Sequence, residues 1–555
     1  MLTRISRRPR LDKFICIILL FVFIQSFAQE NATQFGVVAS AHPAASKAGL
    51  QILKDGGNAV DAVIAAALVL SVVEPYASGL GGGGFLTIKI DGKDPVVIDY
   101  RETAPTCVSD SIYYSDNFDF NYVSKIGVNS IGVPGAAAGL DLALKKYGTM
   151  DIDDLVKPAI EIAMNGFEVN QTTADLILEQ YGIISAFEET AKLFLNEGMP
   201  PVIGDTLYNL ELAKSLELLG KEGLKSFYTS EIADAIVTFM RDNKGCLSFE
   251  DLKNYKAFEK QPVIGYYKDY QIVSTPPPSG GGTHLIELLN ILENFDLHEM
   301  GLNSSEYINT FAQALSIVQS DKERFMADPA FYTVPVEQLT DKDYALRSAM
   351  KIDQDNLPSK QQPELIDFNE SGSTTSLSVI DKYGNMVTLT QSICLFFGSG
   401  ITIPGTGILL NNHMSDFDSE PGKLNSIEPG KRPVSSIAPT IILKDGNPFL
   451  TIGTPGGSRI IGTMAQIIVD ILNFNMNLQE AIDAPRFHVT KDKLHVESRI
   501  AGEVINKLIE MGYKIQTYSE YDKYFGGAQG VIYDHKNKIS IGAADPRRGG
   551  SVEGK

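Results

Sequence analysis

SGSTTSLSVIDKYGNMVTLTQSI, residues 371–393, is the stretch from which the rest of the chain can be read. Leu377 and Val379 alternate on one face, Asp381 to Asn385 carry turn residues, and Met386 to Ile393 return, so the spacing predicts two half-buried strands joined by a turn. A Thr374-Thr375 pair at the head of such a strand has a plain reading as β-branched residues in a sheet. The surroundings add to it. Downstream stand GTGILLNNHMSDF (405–417), RPVSSIAPT (432–440) and GTPGGSRI (453–460), each a small-residue or glycine-rich turn bordered by apolar elements. Upstream, Arg101 ends a strand-like run in VVIDYRETAP. Together these segments supply backbone donors, hydroxyls and one cation.

Working outward, the 555 residues are 44% hydrophobic and 21% charged, a composition that folds into a large core without needing disulfides. The 68 acidic against 48 basic side chains give a net charge of −20, the wrong sign for a nucleic-acid partner. At the start, Arg4, Arg7, Arg8, Arg10 and Lys13 precede an apolar run at 14–27, and Ser26 with Ala28 provide small residues for signal peptidase. Residues 1–28 are therefore expected to be a leader cut after Ala28, and the body to be exported, periplasmic or secreted. An uncleaved anchor is the alternative, although the apolar run is shorter than the roughly 20 residues that span a bilayer. Of four cysteines, Cys16 leaves with the leader, and the spacing of Cys107, Cys246 and Cys394 predicts three free thiols.

Residues 59–73 are apolar but short and contain Asp61; with Asn58 as N-cap and Pro75 beyond the end, they predict a buried helix. GLGGGG (79–84) has dinucleotide-fingerprint spacing, yet a helix precedes it and the strand-like FLTIKI follows, the reverse of the order a nucleotide requires. A tight backbone passage under a site fits better. The seven histidines include no i, i+4 pair, the cysteines are not paired in sequence, and the glycines of PPPSGGG (276–282) are not followed by lysine, so neither a metal centre nor a phosphate cradle is expected. The region 151–339 reads as mostly helical.

VASAHPAASKAGLQILKDGGNAVDA, GLGGGGF, DYRETAP, GVPGAAAGL, PPPSGGG, TTSLSVIDKYGN, FGSG, GILLNNHMSDF, KRPVSSIAPT and GTPGGSR occur in an order that resembles the γ-glutamyltransferases, or glutathione hydrolases, from about residue 35 to the C-terminus. The resemblance implies an α+β fold of the N-terminal-nucleophile hydrolase type, a four-layer αββα sandwich made as a precursor that cuts itself between Ser373 and Thr374. Residues 29–373 would form a large subunit and 374–555 a small one, held as a heterodimer. No organic cofactor or metal is implied. The donors would be glutathione and related γ-glutamyl compounds, and the acceptors water, amino acids or peptides.

Cleavage would supply the missing base. No His/Asp partner stands near Thr374 in sequence, but a freed α-amino group, with a reference pKa of about 7.7–8.0, can take the proton of its own hydroxyl. The resemblance also places Gly456 and Gly457 at the oxyanion, Arg101 with Ser435 and Ser436 at the α-carboxylate, Asp416 at the α-ammonium, and Ser392 where a second threonine flanks the nucleophile. For Arg101 an ordinary ion pair with a neighbouring acid is the plainer alternative. Three positions depart from the family pattern: Ser376 replaces a histidine, and Cys394 and His413 replace an asparagine and a glutamine or glutamate that help hold the ammonium. The segment between Asp416 and Arg432 is also short, which predicts a more open pocket. These departures keep two other readings in view: a glutaryl-type (cephalosporin) acylase of the same superfamily, and an unprocessed binding protein without catalysis.

Overall fold

The structure, a computed structural model, describes residues 34–114, 119–354, 373–491 and 493–554. The leader at 1–28 and its cleavage point lie outside the described residues, as does the stretch 355–372 before the expected cut. The fold is mixed α+β, carried by two large antiparallel sheets. Their strands, in chain order, are β1 (Gly36–Ser40), β2 (Gly83–Lys89), β3 (Val96–Asp99), β4 (Phe258–Lys260), β5 (Val263–Tyr267), β6 (Tyr270–Ser274), β7 (Thr375–Asp381), β8 (Met386–Ser392), β9 (Thr440–Lys444), β10 (Asn447–Gly453), β11 (Gln529–Asp534), β12 (Ile539–Ala544) and β13 (Ser551–Glu553). The seven-stranded sheet runs β13-β1-β7-β8-β2-β3-β4, and the six-stranded sheet β12-β11-β10-β9-β6-β5.

The predicted strand pair is present as β7 and β8, with Leu377 opposite Leu389 and Val379 opposite Val387. Neither strand is half-buried, however: every residue of both is buried. Leu377 and Val379 face one apolar cluster with the helices α1 (Pro43–Lys54) and α2 (Ala59–Val73). On the opposite face Ile380 joins a second cluster containing Ile441 and Val531 of the other sheet. The polar-looking positions on that face satisfy one another, since Ser376 meets Thr390 at 3.1 Å and Ser378 bonds Thr388 at 3.0 Å. Small hydroxyl side chains can therefore be buried between sheets at little cost. On the far side of the six-stranded sheet, Ile442, Leu450 and Ile452 pack with residues of helices α3 (Gly281–Leu292), α4 (Ser305–Phe325) and α5 (Ile460–Phe474).

Helix α2 is buried along its whole length and begins at Asn58 as expected, with Asn58 and Asp61 forming a reciprocal capping box. Asp61 does more than cap. Its carboxylate also accepts from the Thr149 backbone N–H at 2.9 Å and the Thr149 hydroxyl at 2.6 Å, pinning the helix start to a distant turn. Asp381, at the end of β7, accepts from the Ala59 N–H at 3.0 Å and ties the strand to the same helix start.

The glycine run after α2 is a close backbone passage. A Cβ on Gly81 would lie 2.1 Å from the Leu409 carbonyl oxygen, and one on Gly82 would lie 2.1 Å from that of Ser392. One further expectation is met with an addition, and one is corrected. The region 151–339 is largely helical but also contributes β4, β5 and β6, which extend both sheets; these strands are short and partly exposed, so they lack a strong two-residue period. Cys107 and Cys246, expected as free thiols, form a disulfide across 139 residues, with Cα atoms 5.7 Å apart, and among the described cysteines Cys394 stays outside any disulfide. Two elements remote in sequence are brought together there, which spacing does not reveal.

Replacing Asp61 by Ala strands the buried Asn58 N–H and cuts the tie to Thr149. It is expected to lower stability by about 3 kcal/mol, seen as a lower urea midpoint with an unchanged slope.

Candidate active site

Thr374 stands at the head of β7, and its hydroxyl is directed at the carbonyl oxygen of Ser373, the residue it follows. The Thr374 Oγ1 also lies 3.2 Å from the Ser392 Oγ at the end of β8. Ser392 accepts from the Cys394 N–H at 2.8 Å and donates to the Ser373 carbonyl at 3.0 Å. Both hydroxyls thus converge on the oxygen of one backbone carbonyl. Ser373 itself is anchored by a bond from its hydroxyl to the Tyr76 carbonyl at 3.0 Å.

Arg101 follows β3 and is buried in the same pocket. Its Nε donates to the Pro433 carbonyl and its Nη2 to that of Val434, each at 3.2 Å, which fixes the guanidinium plane against the RPVSS segment. Nη2 also meets Asp416 Oδ2 at 2.5 Å, and Nη1 meets His413 Nδ1 at 2.8 Å and Glu102 Oε2 at 3.4 Å. The ion pair with a neighbouring acid is therefore present, with Asp416 and Glu102 as partners. The short turn His413–Asp416 delivers two of these groups at once. Asn411 orients that turn: its Oδ1 accepts from the His413 N–H at 3.0 Å, while its Nδ2 donates to the Gly81 carbonyl beneath.

Burial alone would raise the Asp416 carboxyl, but Arg101 and His413 outweigh it and hold Asp416 far below the usual carboxylate range. Burial lowers the affinity of Arg101 for its proton, and Asp416 and Glu102 more than restore it. Cys394 differs: burial first, and Asp416 second, push its thiol well above the ordinary value, so it stays neutral. Its Sγ lies 3.3 Å from Asp416 Oδ1, a weak donor where the family pattern has an asparagine. Cys394, His413 and Asp416 have ligand atoms within 4.8 Å of one another, a spacing a metal ion can use. The positive charge at that point is already supplied by Arg101, which contacts two of the three.

Ser435, Ser436 and Gly457 line the pocket with Thr374 and Arg101, whereas Gly456 sits one residue behind. Gly456 has φ +142° and Gly457 φ +58°, conformations that suit glycine, and they lead into α5 through the short turn Gly457–Arg459. PPPSGGG supports this wall, as Gly280 donates to the Ser435 carbonyl at 2.8 Å. Ser376 does not line the pocket; its hydroxyl is bonded inside the sheet to the Leu389 carbonyl at 3.1 Å. The segment after Asp416 is short but tied down, since Asn425 donates to the Asp416 carbonyl at 2.7 Å and the Lys431 ammonium is buried over the Tyr332 ring.

Sequence reasoning passed over three groups. Glu102 is adjacent to Arg101 and was available as a signal. Lys322, whose Nζ donates to Ser436 Oγ at 2.5 Å, comes from α4 and carries none. Glu74, just past α2, accepts from the Thr375 hydroxyl at 2.6 Å beside the expected cut.

A threonine hydroxyl at the head of a central strand, set on the preceding carbonyl between two antiparallel sheets, defines an N-terminal-nucleophile hydrolase. Residues 45–555 match the family described as Gamma-glutamyltranspeptidase, and the chain belongs to that family. It is 40% identical to the glutathione hydrolase proenzyme of Escherichia coli (strain K12), over 92% of this chain and 90% of that protein. It is 37% identical to the Acylase ACY 1 proenzyme of Pseudomonas sp. (strain SE83), over 86% of this chain and 87% of that one. Among solved structures, cephalosporin acylase from Bacillus halodurans superposes with a TM-score of 0.86 at 28% identity, covering 94% of this chain and 96% of that one.

Burial raises the Glu74 carboxyl to about 7, against the lowering pull of Thr375 and Arg548. The folded chain therefore binds this proton more tightly than the unfolded chain, and stability falls as pH rises through about 4.5 to 7. Glu74→Gln removes that loss, so the difference in Tm, variant minus native, is expected to become more positive between pH 4.5 and 7.5 in thermal melts.

Proposed function

We propose that this chain is a self-processing γ-glutamyl hydrolase and transferase. The observation that carries the reading is the Thr374 hydroxyl directed at the Ser373 carbonyl, with Ser392 bonded to the same oxygen, in a pocket that Arg101 shares. In processing, Thr374 Oγ1 attacks the Ser373 carbonyl carbon, Ser392 stabilises the oxyanion, and the peptide bond becomes an ester that water opens. The freed α-amino group then serves as the base. In turnover, the same hydroxyl attacks the γ-amide carbonyl of a donor such as glutathione, with the backbone N–H groups of Gly456 and Gly457 directed to the oxyanion. The leaving amine takes a proton, and the acyl ester passes to water or to an amino acid or peptide.

Arg101, with Ser435 and Ser436, is the α-carboxylate anchor in this reading, because a guanidinium fork matches a carboxylate bidentately. Asp416, kept ionised, is the counterpart of the α-ammonium. The apolar clusters on both outer faces and between the sheets support a four-layer αββα arrangement. Residues on either side of the proposed cut contribute strands to both sheets, which supports a heterodimer of 29–373 and 374–555. Export to the periplasm or beyond is supported by the Cys107–Cys246 disulfide together with the basic and apolar leader.

A glutaryl-type acylase is the second reading. It is favoured by the neutral Cys394 thiol and by Asp416 being already paired with Arg101, which leave the site poorer in acceptors for an ammonium than in donors for a carboxylate. Rates on γ-glutamyl and glutaryl anilides compared side by side separate the two.

Thr374→Ala is expected to leave one uncut, inactive chain, whereas the native protein gives two chains, the smaller beginning at Thr374. Intact mass and N-terminal sequencing check this, and a cut, active Ala variant would remove Thr374 from its role. Arg101→Lys is expected to raise KM for γ-glutamyl donors about tenfold or more, since a point charge cannot replace the fork; steady-state kinetics on the processed enzyme measure it.

A further inference from the structure

The carboxylate end of the pocket has a second cation behind it. Lys322 lies in the last turn of α4 and is buried, with 6% of its surface exposed. Its ammonium donates to Ser436 Oγ at 2.5 Å. It lines a small cavity with Asp416, Asn425 and Val434, next to the one shared by Thr374, Arg101 and Ser436. Val434, two residues before Ser436, is where Arg101 Nη2 is anchored, so the two cations approach the same short segment from different elements. The charge is felt elsewhere too: burial, and after it Lys322, hold the His284 ring down near 3.

A serine hydroxyl has one hydrogen and two lone pairs. When a lone pair is taken by an ammonium, the hydrogen turns away from that ammonium and the O–H becomes a stronger donor. We propose that Lys322 is a positioning residue for the donor's carboxylate: acting through Ser436, it orients a hydroxyl hydrogen toward the anion that Arg101 receives and adds positive potential behind it. This deepens the acyl-pocket reading above and rests on it. The consequence is selectivity: Lys322 matters only for donors that carry the carboxylate.

The test uses processed enzyme and paired anilides that differ in that group alone: γ-glutamyl-p-nitroanilide against 4-aminobutyryl-p-nitroanilide, and glutaryl- against butyryl-p-nitroanilide. For Lys322→Met, KM on the carboxylate-bearing donor is expected to rise about tenfold or more with kcat changed by less than about threefold, the size of a lost charge-assisted hydrogen bond, while kcat/KM on its decarboxylated partner stays unchanged. Lys322→Arg should restore most of the loss. An equal loss on both donors of a pair, or an unchanged KM on the carboxylate donor, overturns the proposal. If Lys322→Met does not accumulate as processed enzyme, Lys322→Gln is measured on the same pairs by the same criteria. Native enzyme that cleaves neither γ-glutamyl nor glutaryl anilides would defeat the functional reading instead. Calorimetric binding of glutarate to native protein and variant would then decide the role of Lys322, with weaker binding by the variant supporting it and equal binding overturning it.

Discussion

The site hangs from one strand. β7 is paired on one edge with β1 and on the other with β8, so its backbone is fixed along its length in the middle of the seven-stranded sheet. Its far end is held by Asp381, which bonds the start of α2, and its near end places Thr374 against Ser373 and Ser392. The same helix, at its other end, delivers Glu74 to Thr375 and the Tyr76 carbonyl to Ser373. A displacement of one residue in this ladder would exchange the faces of β7 and carry Ser376 and Ser378 into the apolar cluster beneath α1 and α2. Register, and with it the aim of the hydroxyl, is thus guarded by the burial of both faces.

A second constraint is electrostatic. Arg101, Asp416, Glu102 and His413 are gathered where water is largely excluded, and the charges of Arg101 and Asp416 stay because each answers the other. The arrangement gives rigidity to the turn His413–Asp416 and to the RPVSS wall at once, since Arg101 bonds both. Such a cluster is sensitive to single changes. Removing one partner leaves an uncompensated buried charge, a far larger penalty than the net contribution of any one pair.

Much of this was legible in the amino-acid sequence. The β7–β8 pair, the capped helix α2 and the glycine passage follow from local rules of periodicity, capping and backbone approach. The family resemblance brought together Thr374, Ser392, Arg101, Asp416, His413, Cys394, Ser435, Ser436 and Gly457, which line one pocket, with Gly456 just behind. What was hidden depends on distance in sequence. Lys322 reaches Ser436 across 114 residues and Cys107 reaches Cys246 across 139, and nothing near any of them marks the meeting. The burial of Ser376 and Ser378 was hidden for a different reason: alternation suggests a wet face, and only cross-strand hydroxyl pairs make it a dry one.

The weaving of the strands has a consequence for the molecule's history. Residues before Thr374 supply β1 to β6 and those after it β7 to β13, and in the larger sheet β7 and β8 sit between β1 and β2. The Cys107–Cys246 bridge lies wholly in the earlier part and tethers nothing across the proposed cut. If the chain is cut as proposed, assembly before scission is a problem within one polymer, with loop closure keeping the partners near each other. Afterwards, the unfolded state would be two separate molecules, whose return would depend on their concentration. Scission would therefore act as a ratchet: the native arrangement is reached once, from the intact chain, and thereafter kept by the slowness of coming apart rather than by the ease of re-forming.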